Sequence, residues 1–299
     1  MPWFDFLRRR KSVTLSEEAG QSTPAMRRDG GRTFAADVPY LLPKDMGETN
    51  RLDFQHYMLR YALKGNYAAP LRNPRDILDV GCGAGRWAIE MAQQFPTARV
   101  IGMDIAPPSR ETGATPEAYP ANYTFAQGNV LERVPFPDDS FDFVHQRFLT
   151  LAIPAARWPG VVAELLRVTR PGGWVELVET EPPTGAPAID QLARWGGELT
   201  QRRGIDMSLM ARIGDLLRDG GATRVTARTV KMPVGKPSGH IGAMAAVDYL
   251  AALSAVREPL AKLGIVDEAS FDAMMAHGRE EFDQGVFIQP VYLAFGCKS

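Results

Sequence analysis

The chain is short of cysteine, of net charge and of long apolar runs, and each shortage removes a class of protein. Its two cysteines, Cys82 and Cys297, stand far apart in 299 residues. They build no disulfide framework and suit a reducing compartment such as the cytoplasm. Lysine and arginine number 34 against 35 acids, for a net charge of −1. The basic excess of a dedicated nucleic-acid binder is missing, so no nucleic-acid partner is expected. No stretch reaches the roughly 18 consecutive apolar residues of a membrane helix, so no integral membrane segment is expected. The four histidines, His56, His145, His240 and His277, form no H-x-x-x-H pair and no cluster with cysteine. No catalytic metal is expected on that ground. The first residues are aromatic (Met1-Pro2-Trp3-Phe4-Asp5-Phe6-Leu7) and the next are basic (Arg8-Arg9-Arg10-Lys11). A secretory signal has the opposite order.

What is present is the material of a globular α/β protein. Hydrophobic residues make up 45% of the chain, enough for a full core in one large domain with additions. The stretch 12–36 is polar, and 1–37 reads as a flexible N-terminal arm. A helical cap segment is expected over 38–72. Its helix would be capped by Thr49 or Asn50, with Asp53 near its third position. Phe54, Tyr57, Met58, Tyr61 and Ala62 fall at helical spacing and predict its buried stripe.

The most informative stretch follows. An apolar run, Ile77-Leu78-Asp79-Val80, leads into Gly81-Cys82-Gly83-Ala84-Gly85, and a helical pattern begins at Arg86. A buried strand thus delivers a glycine-rich turn onto a helix N-terminus, the usual nucleotide site of a doubly wound sheet. A second apolar run, Ala98 to Met103, ends at Asp104. Its carboxylate has acceptors for both hydroxyls of an adenosine ribose. The dinucleotide fingerprint also asks for such an acid, about 20 residues after its glycines. The third glycine of that fingerprint, however, falls on Arg86. The alternating Gly-x-Gly-x-Gly resembles motif I of the class I S-adenosylmethionine (SAM) methyltransferases.

Further strands are predicted at 123–127, 141–146 and 173–179, with helices at 86–94 and 158–168 between strands. This alternation implies a parallel sheet with right-handed crossovers. Pro171-Gly172-Gly173 should stop the second helix and turn the chain into the fifth strand. That turn also resembles the SAM methyltransferases. Later come helices at 188–202 and 208–219, a strand from Thr223 to Met232 and a final strand from Gln289 to Gly296. The fold expected from the resemblance is a Rossmann-like doubly wound seven-stranded sheet, parallel except for its last strand. The methyltransferase domain would occupy 73–299. A helical insertion at 238–285 would serve as a substrate lid or a homodimer surface.

A narrower resemblance lies outside the glycine loop. Tyr40-Leu41-Leu42-Pro43-Lys44-Asp45, Glu48 to His56, Gly85-Arg86-Trp87-Ala88 and Phe141 to Arg147 resemble the LaeA-like methyltransferases. The two resemblances together imply a set of cofactor contacts. Gly81, Cys82, Gly83 and Gly85 would lie along the methionine and ribose. Asp79 would reach the amino group and Asp104 the ribose, with Ile105 on the adenine. Asn129 and Val130 would also meet the adenine, Asn129 standing where many family members have Asp. Gln146 and Arg147 would lie by the methionine tail, Arg147 pairing with its carboxylate. Arg51, Gln55 and His56 would fold over the cofactor, or else only cap and solubilise the helix. His145 ends the fourth strand and reads either as a general base or as a packed, hydrogen-bonded core histidine. Glu179 and Glu181 read as substrate-orienting groups, as a base or as a solvated strand end. The expected activity is methyl transfer from SAM to a small organic acceptor. The alternatives are a SAM-binding regulatory or scaffolding protein and an NAD(P)-dependent oxidoreductase.

Overall fold

The computed structural model describes the backbone of residues 26–29, 32–35 and 46–50 and all of 51–107 and 119–299. Two short strands, β1 (Met26–Asp29) and β2 (Arg32–Ala35), pair as an antiparallel hairpin within the stretch expected to be an arm. The motif Tyr40 to Asp45 lies outside the described residues. Helix α1 (Met46–Leu63) begins before Thr49 and Asn50, which therefore sit inside it rather than capping it.

The sheet contains β3 (Asp76–Val80), β4 (Arg99–Asp104), β5 (Tyr123–Gln127), β6 (Phe141–Arg147), β7 (Thr169–Thr180), β8 (Thr223–Val234) and β9 (Phe287–Cys297). Their order is β5-β4-β3-β6-β7-β9-β8. β3 pairs in parallel with β4 and β6, and β9 runs antiparallel between β7 and β8. This is the expected doubly wound sheet. The chain winds outward from β3 in both directions, which opens a crevice at the C-terminal ends of β3, β4 and β6.

Both faces of the central strands are covered, so their apolar runs are continuous rather than alternating. Successive side chains still go to opposite faces. Ile77 and Val100 join Trp87 and Met91 of α2 (Arg86–Gln94) on one side. Leu78, Val80 and Ile101 join Trp158, Val162 and Leu165 of α3 (Trp158–Val168) on the other. Helix α3 ends at Val168, before Pro171, because Thr169 is already extended and paired with Phe141. Pro171-Gly172-Gly173 is therefore an irregularity within β7 and not a separate turn. A Cβ at Gly173 would stand 2.9 Å from the carbonyl oxygens of Arg170 and Asp142.

Helix α4 (Pro187–Arg202) follows β7. The helix predicted at 208–219 divides into a 3-10 turn, Met207–Arg212, and α5 (Ile213–Asp219). The Asp206 side chain accepts from Ser208 N and starts the tight turn. The insertion between β8 and β9 is helical as expected, with α6 (His240–Ser254), α7 (Arg257–Lys262) and α8 (Glu268–Gln284). A further apolar core forms where the insertion meets α1, α4 and the ends of β7 to β9. It includes Met58, Leu59, Leu192, Leu250, Phe271 and Val291.

The predicted stripe of α1 holds only in part: Met58 is buried and Ala62 packs against the apolar core, while its three aromatic positions turn outward. Arg51, Met58 and Leu59 are buried, as is His56. Phe54, Tyr57 and Tyr61 are 55%, 45% and 70% exposed. Polar Arg51 and Gln55 turn inward because Asp248 of α6 meets them there. A buried partner of opposite charge has overridden the aromatic pattern.

Candidate active site at the open end of the sheet

The loop after β3 is fixed by backbone bonds before any side chain is considered. Gly81 N and Cys82 N both donate to Met103 O, at 2.7 and 3.0 Å, and Gly85 N donates to Cys82 O. Gly81 has φ +70°, and a Cβ there would meet Leu149 Cδ2 at 2.5 Å. Glycine alone fits both the conformation and the space. Gly83 N donates to Asp104 Oδ2 at 2.9 Å, so the acid ending β4 clamps the loop.

One cleft is lined by Gly81, Cys82, Gly83, Asp104, Ile105, Asn129, Val130, Arg147 and Gln55. These nine predicted positions come from five separate segments and meet at the crevice. The other predicted positions stand behind the cleft wall or beside it. Gly85 caps α2 in a left-handed conformation and shapes the turn. Asp79 is buried and its Oδ1 lies 2.9 Å from His145 Nδ1. The His145 ring stacks on Trp87 with centroids 3.8 Å apart and planes within 6°. Burial holds its pKa below the usual value, against the pull of Asp79. Gln146 is buried and donates to Glu179 Oε1 at 2.6 Å. Arg51 lies on the next cavity and pairs with Asp248. Asn129 lines the cleft while its Oδ1 accepts from Leu131 N and its Nδ2 donates to Glu132.

Arg147 carries the main charge of the cleft. Its Nη1 lies 3.1 Å from His56 Nδ1. A guanidinium has donors only, so His56 Nδ1 must accept and the imidazole is neutral. Its Nε2, which then carries the proton, faces Glu90 Oε2 at 3.2 Å. Burial, and then the Arg147 cation, push the His56 pKa down to about 4. Among the described residues no carboxylate stands within ion-pair distance of Arg147. The cleft thus holds a cation unmatched by a direct anion, the setting in which a ligand carboxylate is bound best.

A second cavity, of about 670 Å³, adjoins the cleft. Leu52, Gln55 and Phe148 line both. Phe148 has φ +55°, an uncommon conformation for a bulky residue, and its N donates to Val178 O. Such outliers persist where surrounding structure holds them. Glu179 lies on the cavity wall and accepts from Gln146 Nε2, Leu149 N and Thr150 Oγ1. Burial raises its pKa to about 7, although these donors oppose the shift. Asp248 and Phe148 were not singled out by sequence reasoning. The one available signal for Asp248 was a lone acid in an otherwise apolar helix.

The donor set fits SAM. It offers a carboxylate at the end of β4, the Arg147 cation and apolar Ile105 and Val130 in one cleft, the kinds of group that a ribose, an amino-acid carboxylate and an adenine call for. Among the described residues there is no group of side chains able to hold a metal ion, and no helix is long and apolar enough to cross a membrane.

Comparison with known proteins agrees with this geometry. A family model described as a methyltransferase domain matches residues 77–173. Methyltransferase str3 of Strobilurus tenacellus is 40% identical over 143 residues, 47% of this chain and 48% of that protein. The match thus spans about half of that relative's length. Methyltransferase str2 of the same fungus is 29% identical over 83% of this chain and 92% of its own. Secondary metabolism regulator LAE1 of Cochliobolus heterostrophus is 30% identical over 65% of this chain and 66% of its own. The matched region runs from β3 into β7, and the glycine loop, Asp104 and Arg147 within it gather in one cleft, so this part of the chain carries the methyltransferase domain, and over longer stretches the chain is similar to the str2 and LAE1 proteins.

Proposed function

We propose that this protein moves a methyl group from SAM to a small organic acceptor held in the cavity beside the glycine-loop cleft. The observation that carries this reading is the shared wall of Leu52, Gln55 and Phe148. Two ligands seated on either side of that wall would be close neighbours, and positioning is a large part of what such a transfer needs. When bound, SAM supplies a sulfonium methyl, and the bond to the acceptor forms as the S–C bond breaks and S-adenosylhomocysteine leaves.

The residues of the chain bind and orient. Asp104 accepts from the ribose hydroxyls while holding Gly83 N. Arg147 pairs with the methionine carboxylate, and neutral His56 steadies it. Ile105 and Val130 cover the adenine, and Gln55 lies over the cofactor from α1. His145 is proposed as a positioning residue. Its bond to Asp79 ties β6 to β3 beneath the loop, and its stacking on Trp87 fixes α2.

A regulatory reading without transfer is favoured by one observation, the name of the LAE1 relative as a regulator. Calorimetry with SAM and S-adenosylhomocysteine, followed by incubation with methyl-labelled SAM and a metabolite extract, separates the readings. Binding of both, with label appearing in a small molecule, is the expected result. Asp104→Ala should weaken S-adenosylhomocysteine binding by about 1–3 kcal/mol. Binding without transfer to any extract component would favour the regulator. Saturable NADH binding in preference to SAM would overturn both.

A further inference from the structure

Three consecutive peptide hydrogens after β6 go to the end of β7. Phe148 N donates to Val178 O at 2.9 Å, Leu149 N to Glu179 Oε1 at 3.0 Å and Thr150 N to Glu179 Oε2 at 3.4 Å. Two side chains join them. Gln146 Nε2 and Thr150 Oγ1 each donate to the carboxylate at 2.6 Å, one to either oxygen. The two oxygens of buried Glu179 thus accept from four donors, all of them within residues 146–150. A carboxylate is an acceptor at both oxygens, so the ionised side chain answers every one of them.

The segment so held separates the two ligand sites. Phe148 lines both the cleft and the cavity, Leu149 lines the cleft and Thr150 the cavity. Phe148, at φ +55°, shows that the segment is held by its surroundings and not by its own preference. Leu149 also reaches the glycine loop. A Cβ on Gly81 would stand 2.5 Å from Leu149 Cδ2 and 2.7 Å from Cδ1, so the branched end of the leucine occupies the space that the glycine leaves. Close-packed groups pass a displacement on, because the interior yields little. A shift of Leu149 is therefore a shift against Gly81, whose N donates to Met103 O and helps to set the loop.

We infer that Glu179 is a positioning residue for the cofactor: from the wall of the acceptor cavity it holds Phe148-Leu149-Thr150 so that Leu149 rests on Gly81 and keeps the glycine loop in the shape that receives SAM. The inference rests on the methyltransferase reading of the cleft. Glu179 acts through Leu149 and touches no part of SAM. Glu179→Gln is the informative change, because the side chain keeps its size. One oxygen becomes an amide donor, and each oxygen faces two donors, so two bonds are lost whichever way the amide turns. Buried donors left facing a donor are costly, and the segment moves to relieve them.

The test is calorimetry with S-adenosylhomocysteine on the full chain at about pH 8, above the Glu179 pKa of about 7, where the wild-type carboxylate is ionised. Glu179→Gln should weaken binding about tenfold. In a Leu149→Ala background the same substitution should change it by no more than about twofold, because the link to Gly81 is already cut. Thr150→Val is a milder second variant that removes one donor and leaves the carboxylate intact. It should weaken binding about threefold, and again not in the Leu149→Ala background. Thermal unfolding is read on the same samples. A merely structural Glu179 would shift the unfolding temperature and leave the affinity of the folded protein within about twofold. That result, or a loss that persists in full in the Leu149→Ala background, would overturn the inference. Should Glu179→Gln not fold, the Thr150→Val cycle decides by the same criterion. Wild-type protein that binds no S-adenosylhomocysteine strikes the methyltransferase reading itself, whereas wild-type binding with unchanged affinity in the variants strikes only this inference.

Discussion

The cofactor cleft and the acceptor cavity share a wall and are built in opposite ways. The cleft is mostly backbone geometry. Its loop bonds to Met103 O, its clamp is Asp104 on Gly83 N, and its glycines leave no room for a Cβ. The cavity is mostly side chains brought from distant parts of the chain. Arg51 meets Asp248 across 197 positions, and Thr150 meets Glu179 across 29. A backbone site is specified by a few local residues and tolerates one ligand shape. A side-chain site can change its acceptor without changing the sheet. The family model matches 77–173, which holds the glycine loop and leaves most of the cavity lining outside.

The largest expected effect breaks the backbone side. Gly81→Val places a β-branched residue at φ +70° and drives its Cβ into Leu149. S-adenosylhomocysteine affinity should fall by about a thousandfold, read by calorimetry on protein whose circular dichroism is native. Affinity kept within a few-fold would mean that the cofactor does not lie on this loop.

The next effect sharpens the side-chain side through pH. The folded pKa of Glu179, about 7, lies above its unfolded value near 4.5. The folded state therefore binds more protons than the unfolded state between those values, so this group's contribution is present below pH 4.5 and is lost as pH rises to 7. Glu179→Gln removes the titration. Urea unfolding should show the mutant gaining on the wild type by about 3 kcal/mol from pH 4.5 to 7. A difference that does not vary with pH would place Glu179 in contact with solvent. His56 works in the other direction. Its folded pKa of about 4 is depressed, so it adds stability as pH rises from about 4 to 6.5. The wild-type curve alone would hide both, and the mutant comparison separates them.

The smallest effect lies outside both sites. Tyr61→Ser on the exposed face of α1 should change stability by no more than about 0.5 kcal/mol, measured in the same urea series. A larger loss would restore the aromatic stripe as a buried face.

The parts of the fold that sequence reasoning found are those with local causes. β3, β4 and β5 fall within a residue of expectation because a continuous apolar run marks a strand covered on both sides. Helix α2 starts at Arg86 because the glycine turn leaves no other place for it. Met58 and Ala62 of α1 pack as expected, but its aromatic positions face outward because the orientation of the helix depends on a distant partner. Hydrophobicity chose Phe54, Tyr57 and Tyr61, whereas Asp248 draws in Arg51 and Gln55. Asp79 and Gln146 sit at the positions expected, yet Asp79 Oδ1 meets His145 and Gln146 Nε2 donates to Glu179. Nothing local to either residue announces those bonds.

The sequence by itself determined the sheet, the glycine turn, Asp104 at the end of the second sheet strand and the place of the insertion. Each follows from periodicity or from backbone conformations that few residues can adopt. Only the tertiary structure decided that Arg147 is left facing the cleft with a neutral histidine at its back. It also decided that Asp79 meets His145 behind the cleft wall, and that Arg51 and Asp248 share one cavity. Those facts depend on which groups meet across the fold, and burial sets the energy of each meeting by removing the water that would otherwise level them.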